Sequence, residues 1–202
     1  MGDIRIESVS DPFTNPGLAR LAARVIAFAS TVGLVTQAIR TLDRKTWKVV
    51  LGSLRKAGLL RAAPLLTLRS GTSFESELSR LYETIEDSPL PETEWKPMRD
   101  VLGDDMLTKL LGISRPSVHR YATRERTTPQ DVAERLHVLA LIVSDLAGSY
   151  NDYGIRRWFE RPRAQLRGRA PRALLKKGFR PDDQGVRQVR ALAAALLGAG
   201  AT

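Results

Sequence analysis

Apolar residues recur at spacings of three and four along most of this chain, the period of helices that bury one face. The longest such run is Leu18, Leu21, Val25, Phe28, Val32, Val35, Ile39 and Leu42. It predicts one long helix from Leu18 to Leu42 carrying a heptad seam. Asp43 stands where a cap belongs, ahead of a helix with Trp47, Val50, Leu51 and Leu54 inward and Gly58 as its stop. Ser73 heads a further helix with Leu78, Leu81, Tyr82 and Ile85, and residues 64–72 read as a loop or short strand. In the second half, Thr128, Pro129 and Asp131 make a helix start, followed by the stripe Val132, Leu136, Leu139, Val143 and Leu146 and by Gly148 as its end. A short helix with Ile155, Trp158 and Phe159 stops before Pro162, and another runs from Pro171 to Lys177, closed by Gly178. A last helix spans about Asp182 to Leu197, with Val186, Val189, Leu192 and Leu196 on one face. The pattern as a whole predicts an all-α protein.

The same reading divides the chain. Residues 1–17, with Pro12, Pro16 and Gly17, are expected as a flexible leader, and residues 18–87 as a helical N-terminal region. Pro89, Pro91 and Pro97 mark a linker at 88–97. Residues 98–149 and 150–202 follow as two further helical domains. The Leu18–Leu42 seam has two readings. It is the interface of a homo-oligomer, or it packs inside its own domain against Trp47 and Leu78.

Between these helices lies a pattern with chemistry. Leu107 and Leu111 share one helix face, Gly112 permits a tight turn, and Ile113 can fill the corner. Ser114 is placed to cap a second helix by accepting the amide hydrogen of Ser117, and Pro116 sits in the first turn, where a missing amide hydrogen does little harm. Val118 and Tyr121 then point back at the first helix. This is a helix-turn-helix, with Thr108 where a small Ala is usual. It leaves Ser114, Arg115, Ser117, His119 and Arg120 outward, with Arg124 and Arg126 just beyond. Arginines near the start of such a helix reach guanine edges in the major groove, and those near its end reach phosphates. A helical hairpin with a solvated basic face has the same pattern; the glycine and cap at this spacing favour DNA.

Charge supports a polyanionic partner. The 202 residues carry a net charge of +10, and residues 156–180 alone hold ten basic residues against one acid, Glu160. Those ten are Arg156, Arg157, Arg161, Arg163, Arg167, Arg169, Arg172, Lys176, Lys177 and Arg180. They read as a solvated face, a phosphate-binding surface or a match to an acidic protein, with DNA backbone contact preferred for so dense a cluster. The chain has no Cys, which excludes disulfides, thiol catalysis and Cys-ligated zinc. Its two histidines, His119 and His137, stand without a nucleophile partner or metal-ligand spacing, and each reads as a surface or partly buried residue. The pairs Asp104–Asp105 and Asp182–Asp183 fit helix N-termini better than acid–base catalysis. No enzyme, cofactor or metal site is expected. The uncharged run 25–39 is shorter than the ~20 residues a membrane span needs, and a cytoplasmic protein with no membrane partner is expected.

The order Trp158, Phe159, Pro162, Leu166, Gly168, Pro171, Leu174, Gly178, followed by an amphipathic helix, resembles the C-terminal toxin-binding domain of the Xre/MbcA/ParS antitoxin family. A helix-turn-helix directly upstream is that family's usual arrangement, and the resemblance covers about residues 99 to 200. It implies an antitoxin of a type II toxin-antitoxin system. Such a protein binds and neutralises a RES-domain toxin that degrades NAD and represses its own operon by binding the operator DNA. On this resemblance 98–149 is the DNA-binding domain and 150–202 the toxin-binding one, with Gly168, Pro171, Gly178, Leu192 and Leu196 facing the toxin. The residues themselves also read otherwise. Trp158, Phe159 and Leu166 fit a core, and Gly168 and Gly178 fit turns. A stand-alone transcriptional regulator, or a nucleoid-associated protein without sequence preference, is the alternative function.

Overall fold

The computed structural model describes residues 4–60 and 72–197, mostly as helices, so the chain is all-α in class. It divides at Ser88/Pro89 into two compact units.

The first unit opens on a strand. β1 (Ile4–Val9) pairs in parallel with β2 (Ile39–Leu42), with Ile4 opposite Ile39 and Val9 opposite Leu42. The leader expected to be flexible is therefore a paired strand from Ile4 onward. α1 (Pro16–Thr31) crosses between the strands; Asn15 caps it by accepting from the Gly17 and Leu18 amides, with Pro16 at its first position. The expected helix to Leu42 is also wrong. α1 stops because Gly33 adopts φ +75° and closes the helix end, with the Leu34 amide bonding the Ala29 carbonyl at 2.8 Å and the Gly33 amide the Ser30 carbonyl at 3.1 Å. The apolar period runs on past this stop by coincidence. Val32, Val35, Ile39 and Leu42 are all buried, but in a helix cap, a loop and a strand. The seam is thus largely buried inside its own unit, where α1 packs against α2 (Arg44–Lys56) and α3 (Thr72–Glu86).

Asp43 caps α2 as expected, accepting from the Thr46 amide at 2.7 Å, and Gly58 closes it in the left-handed region. Phe13 sits edge-on to both Trp47 and Phe74, with ring centroids 5.4 and 5.5 Å away, and these fully buried rings centre the core. α3 begins one residue ahead of the expected cap at Ser73. Of the loop or strand expected at 64–72, residues 64–71 lie outside the described residues and Thr72 already belongs to α3.

The second unit begins with α4 (Pro91–Leu102), where a proline linker was expected. Pro91 occupies the first helical position, which suits it, and Pro97 costs the helix one backbone hydrogen bond. Burial of Trp95, Met98, Val101 and Leu102 offsets that loss. α5 (Asp104–Leu111), α6 (Arg115–Ala122) and α7 (Gln130–Ala147) follow. α7 is the centre of the unit. It is buried on nearly every side from Val132 to Leu146, not along one stripe, because α4, α5, α8 (Asp152–Glu160) and α10 (Gln184–Leu197) all lie against it. The expected start of α7 is corrected as well. Pro129 holds the cap position without a side-chain cap bond, and the Thr128 hydroxyl instead accepts from the Trp95 indole at 2.9 Å.

The expected boundary at 149/150 is not a break. α8, a short 3-10 turn (Ala164–Leu166), α9 (Pro171–Leu174) and α10 complete the same compact unit, from Pro89 onward. α9 ends at Leu174, short of the expected Lys177, and the buried face of α10 is Val186, Val189 and Ala193, with Leu192 and Leu196 half-buried. Among the described residues no helix is long and apolar enough to cross a membrane.

Candidate nucleic-acid interface

α5 and α6 are two short helices joined by a tight turn, where the spacing predicts them. Leu107 and Leu111 are fully buried, and Gly112 turns the chain at φ +69°. Ser114 caps α6, its hydroxyl accepting the Ser117 amide at 3.3 Å and meeting the Ser117 hydroxyl at 2.9 Å. Val118 and Tyr121 face inward, and Tyr121 lies against Trp95 of α4, with centroids 6.1 Å apart.

Two interactions hold α5 at its two ends and a third ties α4 to α7; none was visible in the sequence. Arg135 of α7, 8% exposed, donates from Nε to the Leu111 carbonyl at 3.2 Å and from Nη2 to Asp131 at 2.8 Å. It therefore satisfies a carbonyl at the end of α5, where intrahelical partners run out. Arg99 of α4 grips Asp104 through two parallel bonds of 2.8 and 3.0 Å at the start of α5. The hydrogen-bonded guanidinium holds the Asp104 carboxyl below its ordinary range, outweighing the burial that pushes it up. Glu94 of α4 and His137 of α7, both buried, meet at 2.5 Å between Oε1 and Nδ1. His137, expected as a surface or partly buried residue, is thus buried within α7.

The inward face being fixed, the outward face of α6 carries the expected groups. Ser114, Arg115, His119 and Arg120 are exposed, and Ser117 is half-buried against the cap. Arg115 lies 3.4 Å from Asp105 and His119 3.6 Å from Glu125; both are exposed pairs, worth little and easily exchanged for another anion. Arg120 forms no ion pair among the described residues. Arg124 and Arg126 are exposed in the turn after α6, not on the helix. Arg124 adopts φ +63° and reaches back to the Glu92 carbonyl at 3.4 Å. Five of the seven expected DNA contacts therefore share α6 and its cap, and two flank it.

The five residues expected to face a toxin differ in exposure. Gly168 and Gly178 are exposed turn residues at φ +74° and +75°, Pro171 is buried, and Leu192 and Leu196 are half-buried on α10. The ordered signature is largely scaffold. Trp158 and Phe159 are buried edge-to-face at 5.4 Å, Leu166 and Leu174 are buried, and the Gly168 amide bonds the Arg163 carbonyl at 2.9 Å to close its loop.

The basic cluster is sorted by its partners. Arg156 donates to the Val101 carbonyl at 2.6 Å and Arg157 to the Tyr153 hydroxyl at 2.7 Å. Arg163 lies 5.5 Å over the Trp158 ring, and Arg169 donates to the Leu166 carbonyl. Arg172 pairs with Glu160 and Arg180 with Asp182, each at 3.4 Å. Arg161, Arg167, Lys176 and Lys177 are exposed and take no ion pair or side-chain hydrogen bond among the described residues. No group of side chains suited to holding a metal ion occurs among those residues. No family model, curated protein or solved structure matches the chain.

Proposed function

We propose that this protein binds DNA through α6 and acts as the antitoxin of a type II toxin-antitoxin system, neutralising a RES-type NAD-degrading toxin and repressing its own operon. The observation that carries the DNA reading is the exposed face of α6. Arg115, His119 and Arg120 project from a capped helix whose opposite side is locked by Val118 and Tyr121. A rigid helix with arginine at its outward positions fits the major groove, where guanine offers two acceptors to one guanidinium. The antitoxin reading rests on the family resemblance of residues 99–200 and places the protein in the cytoplasm, with its DNA.

One helix-turn-helix covers half a site, so the working form is a homo-oligomer, paired through a surface other than the buried α1 seam. Selection from a random duplex library tests the DNA reading. The expected product is a two-fold motif whose half-sites lie about 34–36 Å apart or a multiple of that. Recovery of no motif from a well-folded protein contradicts it and leaves binding without sequence preference. Co-expression with the neighbouring gene tests the antitoxin reading. Growth arrest by that gene, relieved by this protein, is expected. A neighbour without toxicity leaves a stand-alone DNA-binding regulator.

A further inference from the structure

Lys177 lies on the turn of the helix-turn-helix. A Cβ built on Gly112 would come within 2.5 Å of Lys177 Cγ and 3.4 Å of its Cα. Gly112 therefore answers two needs, the left-handed turn and the close passage of the Lys177 stem. Lys177 remains exposed, so its stem covers the glycine while its ammonium reaches solvent.

The segment that carries it is rigid. Leu175 and Phe179 are buried on either side, and the Phe179 amide bonds the Lys176 carbonyl at 3.0 Å, forming a turn through Gly178. Lys176 and Lys177 are thus presented at the tip of an anchored turn, and the Gly112 that Lys177 touches is two residues in sequence from the Ser114 cap of α6. The other basic residues nearby in sequence are engaged: Arg172 with Glu160 and Arg180 with Asp182. These two lysines are not.

We infer that Lys176 and Lys177 clamp the phosphate backbone beside the groove that α6 enters, so that the C-terminal segment is part of the DNA interface. The inference rests on the DNA reading of α6. The occupant follows from charge. A pair of unneutralised ammonium groups next to a groove-reading helix matches the phosphates flanking that groove. Such groups position the protein and do not read sequence.

The test is a salt titration of the full-length protein on a duplex from the promoter of its own gene and on a random-sequence duplex of equal length. The variant Lys176→Gln/Lys177→Met removes both charges and keeps the stem over Gly112. Without the two phosphate contacts, the slope of log affinity against log salt falls by about 0.9 for each, so affinity changes roughly tenfold less between 50 and 200 mM salt. The loss is expected to be equal on the two duplexes, so their affinity ratio is unchanged. Lys176→Arg/Lys177→Arg is expected to keep the wild-type slope. Arg161→Gln/Arg167→Gln, which removes as much charge elsewhere, is expected to leave the slope near wild type. An unaltered slope in the lysine variant, or an equal fall in the arginine control, overturns the inference. If the wild type binds neither duplex, the reading of α6 falls with it. If the wild type binds and Arg120→Ala erases its preference while the lysine variant is silent, only the phosphate clamp falls.

Discussion

Ser114 and Gly112 show how much single residues decide. The Ser114 hydroxyl accepts the Ser117 amide that opens α6, and that bond was legible as a serine at a fixed distance from an apolar pair. Ser114→Ala is expected to cost ~1 kcal/mol in urea-induced unfolding. Gly112 was legible as a turn, but its contact with Lys177 was not, because 65 positions of sequence separate them. Gly112→Ala meets both a left-handed backbone and an occupied space. It is expected to destabilise by more than the ~1–2 kcal/mol that an alanine in the left-handed region costs alone. In a Lys177→Ala background, where the obstructing stem is gone, the same substitution is expected to cost less. Equal costs in the two backgrounds would show that only the backbone matters there. Arg135, Arg99 and Glu94 lay beyond sequence reading for the same reason. Each acts on a partner from another helix or at a helix end, and nothing in its own neighbourhood announces the partner.

At the scale of elements, apolar period identified most helices but not where they end. The period of three and four runs past Gly33 into Ile39 and Leu42, which are buried for other reasons. A glycine after Val32 was the available stop signal, and it outweighs the continuing pattern. Pro91 and Pro97 misled in the opposite direction. Proline is at home in the first turn, and a buried helix face tolerates a second one. The join between α4 and α5 carries a pH prediction. Asp104 is held below its ordinary value by Arg99, so the pair's stabilisation is present above the unfolded carboxyl value of about 3.9 and is lost as pH falls through the lower folded value. Asp104→Asn is expected to cost about 1 kcal/mol in urea unfolding at pH 7, with the gap to wild type narrowing as pH falls below the unfolded carboxyl value. A gap that persists in acid would assign the loss to packing.

The whole molecule comprises a helical unit opened by a β-α-β element and a helical unit built round α7. The all-α class was legible because it is written in the local apolar period of each helix; the small parallel sheet was not, since a two-strand pairing across α1 leaves no local mark. Nor was the unity of residues 89–202. α8 and α10 look like a separate domain until α7 proves too apolar to be covered by the helix-turn-helix alone. Because the α1 seam is largely buried inside its own unit, removal of residues 1–88 is expected to leave the oligomeric state unchanged in light scattering. A drop to monomer would place the pairing surface in the N-terminal unit after all.

Whether α6 reads DNA sequence, as proposed, is decided by a binding titration of Arg120→Ala against wild type on the selected site and on a scrambled duplex. Arg120→Ala is expected to lose ~1–3 kcal/mol on the selected site and almost nothing on the scrambled one. An equal loss on both would make Arg120 a phosphate contact, and no loss on either would remove α6 from the interface.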